Sequence, residues 1–161
     1  MKKLVLVLAL VAIIGTGSAF AQFAVGIHTS GGMVDGQIGG GLGVNLTFSN
    51  IFIYIDGAGL GTDSIHITGA VDFAQFLGGD LGSGFGWYLR LGVPISLWGF
   101  NRDFSLAAGV RAPIGLNWRP NTFLEVFLQA VPQIGLQILP IEDIGLWADF
   151  FGGTLGIRFW L

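Results

Sequence analysis

The chain has 161 residues, 52% of them hydrophobic and only 11% charged, with 28 glycines and no cysteine. Soluble domains carry about a quarter charged residues, so this composition is wrong for one, and 13% aromatic content excludes a disordered chain. Past residue 22 no run of 18 apolar residues is free of both charge and glycine, which excludes membrane-spanning helices from the rest of the chain.

Met1 to Lys3 supply a positive start, Leu4 to Ile14 an apolar stretch, and Ala19-Phe20-Ala21 a small-x-small site before Gln22. This pattern predicts a secretory signal peptide over 1–21, cleaved to leave a domain at 22–161. Cleavage removes both lysines and leaves five arginines against ten acids, a formal charge of −5. An acidic chain does not neutralise phosphates, so nucleic acid is excluded as a partner. An exported chain without cysteine also cannot rely on disulfides.

From Gln37 onward the residues alternate. Ile38, Leu42, Val44, Leu46 and Phe48 oppose Gly39, Gly41, Gly43, Asn45 and Thr47; Phe85, Trp87, Leu89, Leu91 and Val93 oppose Gly86, Tyr88, Arg90 and Gly92. Phe104 to Trp118 at even numbers oppose Ser105 to Arg119 at odd ones. A period of two is the signature of strands. The smaller face carries glycine, alanine, serine and isolated charges, and no lysine, which suits an interior better than a solvated surface. The oily face then looks to lipid, where open sheet edges are not tolerated and strands must close.

Eight strands are predicted, at about 23–30, 37–48, 51–58, 64–74, 84–93, 104–118, 123–138 and 147–160. The fold class is therefore an all-β, eight-stranded antiparallel up-and-down transmembrane barrel with a filled polar interior. Ser49-Asn50 and Arg119 to Thr122 read as tight turns at one end; Ser30 to Gly36, Gly59 to Asp63, Pro94 to Asp103 and Leu139 to Gly145 read as longer connections at the other. The join from Gly78 to Ser83 is looser than a tight turn. Pro132 deletes a ladder hydrogen bond on the outward face, and the eighth strand slips phase near Asp149.

Inward positions hold Asp56, Asp72 and Glu125 against Arg90, Arg111 and Arg158, beside His66, Asn45, Gln129 and Tyr54. These predict an arginine–carboxylate network that plugs the barrel, because a charge facing lipid costs about 2–4 kcal/mol at midplane. Gly39, Gly41 and Gly43 are expected to make room for Phe52 and Tyr54.

Thr154-x-Gly156-x-x-Phe159-x-Leu161 is similar to the terminal signal of bacterial outer-membrane barrels, which the barrel assembly machinery reads. The whole 22–161 segment resembles small barrels of the OmpA/OmpX/OmpW kind. Gly109 to Trp118 with Leu124 to Leu128 looks like a hairpin of a spirochaetal branch of them. The resemblance implies a bacterial outer-membrane location, lipid as surroundings, and a structural, anchoring or surface-interaction role in which loops set the partner, a host or extracellular factor among them. The alternative is a narrow conduit for small solutes or hydrophobic compounds.

Leu97, Trp98, Phe100 and Arg102 are the contact candidates on an outer loop, since apolar tips mark contact surfaces; the same stretch also reads as an extension of the fifth strand with Trp98 in the aromatic belt. Catalysis has little material. His28 and His66 fall on inward positions, and His28 with Ser30 or Ser96 only loosely imitates a lipid acyltransferase. No enzyme activity, cofactor or metal site is predicted.

Overall fold

The computed structural model describes residues 23–34, 37–58, 66–98, 105–139 and 144–161. The segment 1–22, and with it the expected signal peptide, lies outside the described residues.

Eleven strand segments follow one another: β1 (Phe23–Val34), β2 (Gln37–Phe48), β3 (Ile51–Ala58), β4 (His66–Gly82), β5 (Phe85–Trp98), β6 (Ser105–Arg111), β7 (Ile114–Trp118), β8 (Leu124–Ala130), β9 (Gln133–Leu139), β10 (Gly145–Asp149) and β11 (Gly153–Trp160). All pair antiparallel in one sheet, and β1 pairs with both β2 and β11, which closes it. Three pairs of segments continue one another: β6 with β7, β8 with β9, and β10 with β11. β5 lies beside both β6 and β7, which shows that the first pair is one broken strand. Eight strands thus form the wall, as the alternation requires.

The breaks have local causes. Pro113 and Pro132 lack the N–H that a ladder needs. They sit side by side, with Ala112 N donating to the Pro132 carbonyl at 2.9 Å and Arg90 N to the Pro113 carbonyl at 2.9 Å. The third break is a bulge. β10–β9 pairing ends at Asp149 opposite Gln133, and β11–β8 pairing starts at Gly153 opposite Ala130, so Phe150 to Gly152 face the shorter stretch Val131-Pro132. The extra residue reverses the phase, so that Asp149 and Gly152 both point inward while Phe150 and Phe151 are both exposed. This is the expected slip near Asp149.

Following the register once around, from Phe23 through Phe48, Ile51, Phe73 and Leu91 to the Pro132 level, returns to β1 about ten residues further along. That stagger tilts the strands, and the interior of an eight-stranded cylinder is just wide enough to be filled by side chains. Val25, Ile27, Leu42, Val44, Ile55, Leu91, Val93, Ile95, Val110, Leu116, Leu128, Leu136 and Leu155 are exposed on the outside. Tyr54, Tyr88, Arg158, Glu125, Asp72, Gln129 and Asn45 are buried within. The polar face is the interior.

Three predicted boundaries change. β4 continues through the segment read as a loose join and ends in the two-residue turn Ser83-Gly84. Gly82, Ser83 and Gly84 take positive φ of 88°, 54° and 79° there, so the turn is as tight as its neighbours and glycine serves it at two of three positions. Two bulges at Phe73/Gln75 and Gln75/Leu77 hide this strand from a period-of-two reading. β5 runs to Trp98, so Pro94 to Trp98, read as a loop, are strand; Pro94 is buried inward. β1 and β2 pair up to Val34 opposite Gln37, past the expected end at Ser30.

Candidate functional site: the filled lumen

The first ion pair joins β4 and β6 over the strand between them, β5. Arg111 on β6 donates from Nε to Asp72 Oδ1 at 2.6 Å and from Nη2 to Oδ2 at 2.8 Å. Both side chains are buried, and a fork-on-fork pair of this kind fixes orientation as well as charge. Gly92 stands between them in the register, opposite both Asp72 and Arg111. A Cβ on Gly92 would collide with Asp72 Oδ1 and the Val71 carbonyl, so the absence of a side chain makes the space for the pair.

The second centre is Glu125 on β8. Its Oε1 accepts from Arg158 Nη1 at 2.8 Å, and its Oε2 accepts from Arg119 Nε at 2.8 Å and Trp160 Nε1 at 2.9 Å. Arg158 also donates through Nε to Asn45 Oδ1 at 2.9 Å and through Nη2 to the Tyr54 hydroxyl. Its guanidinium lies 3.9 Å from the Phe127 ring centre. Arg158 is fully buried, whereas the Arg119 side chain is 40% exposed and closes the lumen at the end of the tight turns.

Asp56 pairs with His28, whose Nε2 lies 2.8 Å from Asp56 Oδ1 while Nδ1 faces Asn45 Nδ2 at 3.3 Å. Both ring nitrogens are engaged. Arg90 is the exception among the predicted charges, with no carboxylate partner among the described residues. Its guanidinium is stacked on Phe52 at 3.4 Å and Tyr88 at 3.7 Å, its Nη1 donates to the Tyr54 hydroxyl at 3.3 Å, and its buried Nε has no hydrogen-bond partner. Tyr88 donates to Gln129 Oε1 at 2.9 Å, tying β5 to β8 over the bare backbone of Gly115 on β7.

Four of these charges stand in two buried ion pairs, Asp72 with Arg111 and Glu125 with Arg158, while Asp56 is hydrogen-bonded to His28 and Arg90 is stacked on aromatic rings. The register corrects one local expectation: Gly43 faces Asp56 and His28, while Phe52 and Tyr54 are opposite Thr47 and Asn45. The large interior groups rest on other glycines, Tyr88 on Gly115 and Phe127 on Gly156. Sequence reasoning did not assign Arg119, Trp160 or His28 to the network. Arg119 continues the inward phase of the sixth strand and Trp160 that of the eighth, a signal that the turn assignment obscured; the side chain of His66 lies outside the described residues.

Of the terminal motif, Thr154 and Gly156 point inward and Phe159 and Leu161 outward, and Leu161 N donates to the Phe23 carbonyl at 2.8 Å where the wall closes. Of the loop candidates, Leu97 is an outward residue of β5 and Trp98 is its last residue; Phe100 and Arg102 lie outside the described residues. No group of three or more metal-binding side chains is present among the described residues.

No family model and no curated protein matches the chain. Among solved structures, the crystal structure of Neisserial surface protein A (NspA) is similar at 13% identity and a TM-score of 0.46, over 86% of this chain and 95% of that one.

Proposed function

We propose that the chain is a small outer-membrane barrel of the OmpA/OmpX/OmpW kind, exported with a cleaved signal peptide at 1–21, with a structural, anchoring or surface-interaction role and no enzyme activity. One observation carries this reading: the oily side chains face outward around the whole wall, while the lumen is stoppered by paired charges and aromatic rings. An outward apolar belt needs hydrocarbon to cover it. A conduit needs a continuous path, and any path here would have to part Arg158 from Glu125 and Tyr88 from Gln129.

An acyltransferase needs a nucleophile within reach of its base, and the hydrogen bonds of His28 go to Asp56 and Asn45 and not to a serine. In this reading the terminal strand from Thr154 to Leu161 is the segment presented to the barrel assembly machinery, lipid is the standing partner, and an extracellular or host partner is met through the outer loops.

Protein refolded in detergent should give a β-type circular-dichroism spectrum and a folded gel band that shifts on heating. In planar bilayers it should be silent. Stable unit conductance would replace this reading with the conduit; a compact monomer in plain buffer, without amphiphile, would remove the membrane reading altogether.

A further inference from the structure

β4 pairs with β3 only as far as Phe73 opposite Ile51, where β3 begins. Its other side stays paired with β5 down to Gly82. Among the described residues β4 has β3 and β5 as its strand neighbours, so residues 74–82 present a strand edge without a pairing partner. The cause is a mismatch of hairpins: β2 turns into β3 at Ser49-Asn50, while β4 runs on to Gly82.

The depth of this edge makes it consequential. Phe85, directly opposite Gly82, stacks on Trp118 with ring centres 5.8 Å apart, and Phe48, Phe123 and Phe159 are exposed at the same end. On the membrane reading above, on which this inference rests, those aromatics mark the interface. Residues 75–81 lie between the level of Phe48, which the register sets beside Ile51 and Phe73, and that of Phe85, so the edge runs through the span these aromatics mark and its unpaired N–H and C=O groups gain from a strand partner. Phe76, Leu77 and Leu81 are exposed there at 67%, 51% and 60%. Bulges protect edges in many sheets, and here they flank the stretch, at Gln75/Leu77 and at Asp80/Gly82, the second displacing Leu81; between them, from Leu77 to Asp80, the register with β5 is regular, leaving a straight stretch able to accept a strand.

We infer that this edge pairs with the same edge of a second copy, antiparallel and about a two-fold axis at Gly79, making a dimer with a continuous sheet. The register follows from the sequence. Centred on Gly79, the pairing sets Leu77 opposite Leu81 of the second copy and Asp80 opposite its Gly78, so the two carboxylates stay apart. A centre at Asp80 would put like charges face to face. Two backbones meet at Gly79, where a Cβ would crowd the Trp87 indole nitrogen at 2.9 Å. The surface is thus self-complementary in the way an isologous contact requires.

The chain has no cysteine, so single replacements report cleanly. Leu77→Cys and Leu81→Cys proteins, refolded separately in detergent and then combined in liposomes, should form a covalent dimer on mild oxidation. Opposed strand residues lie about 4.5–5.5 Å apart, within disulfide reach. Leu77→Cys alone should form no covalent dimer, because its twin is about 13 Å away in this register. Sedimentation in detergent should find the unmodified chain dimeric and a Leu77→Lys variant monomeric, with the heat-shifted band retained in both.

A folded, heat-modifiable chain that is monomeric by sedimentation and gives no mixed disulfide overturns the dimer while leaving the barrel standing. Equal cross-linking in the Leu77→Cys sample alone overturns it too, as would a different protein held at this edge. Failure to fold in any amphiphile sinks the membrane reading first, and the dimer with it.

Discussion

Replacing Glu125 by alanine tests the stopper at its most connected point. Four donors converge on this carboxylate from three residues, and they do not lose equally when it goes. Arg119 is partly in water and can rehydrate, so its share is about 0–1 kcal/mol. Trp160 is half-buried and loses one hydrogen bond to a charged group, about 1.5–3 kcal/mol at most. Arg158 cannot rehydrate: it is fully buried, and only the neutral Asn45 and Tyr54 oxygens remain to it. Breaking a buried pair from one side costs about 3–5 kcal/mol.

The expected loss is therefore dominated by Arg158 and comes to several kcal/mol, whereas Arg119→Ala should cost no more than about 1 kcal/mol although it removes a partner of the same carboxylate. The assay is urea unfolding of the refolded barrel in lipid vesicles, followed by tryptophan fluorescence and by loss of the heat-shifted band. Exchanging both partners for apolar side chains, Glu125→Leu with Arg158→Met, should recover most of the loss, because neither charge is then stranded. Equal midpoints for Glu125→Ala and the unmodified chain, or a double variant as weak as the single one, would refute the claim that a buried ion pair holds the wall together here.

Two further comparisons use the same unfolding assay. Arg111→Met should destabilise by about 3–5 kcal/mol because it leaves Asp72 charged and buried. Arg90→Met should be neutral or stabilising: no carboxylate is orphaned, and a flexible apolar chain can keep the contacts with Phe52 and Tyr88 at the loss of a cation–π term of about 2 kcal/mol. A ranking in which Arg90→Met is the worse variant contradicts the pairing scheme. Gly156→Ala should cost about 1–3 kcal/mol, since its Cβ would stand 2.5 Å from Phe127 Cζ and 2.7 Å from His28 Cβ, and the ring it displaces carries the Arg158 guanidinium; a midpoint shift below the error of the measurement would show that the lumen is loosely packed.

What the sequence disclosed was the face each residue takes, and that followed from one property: neighbouring side chains on a strand point to opposite sides. Asp72, Arg111, Glu125 and Arg158 could be placed inside because each lies in an unbroken run of alternation. The same logic carried through Pro113 and Pro132, where the backbone loses a hydrogen bond without gaining a residue, so the phase on either side agrees. It failed where residues are inserted. Two bulges after Phe73 scramble the alternation, so a period of two ends the strand there although its pairing with β5 continues to Gly82.

Which charge meets which was legible only in outline, because partners depend on register and on the stagger of the cylinder. Alternation says that Arg90 and Arg111 are both inward and leaves open which of them receives Asp72. The register decides it through a glycine. Gly92 is the residue directly opposite both Asp72 and Arg111, so a carboxylate on one neighbouring strand reaches over the bare backbone to a guanidinium on the other. Arg90, one position along the inward face of β5, is level with Pro113 and falls between Tyr88 and Phe52 instead. Inward glycines in such a wall therefore act as gaps through which charges two strands apart can pair, and they could not be assigned that role until the strands were laid side by side.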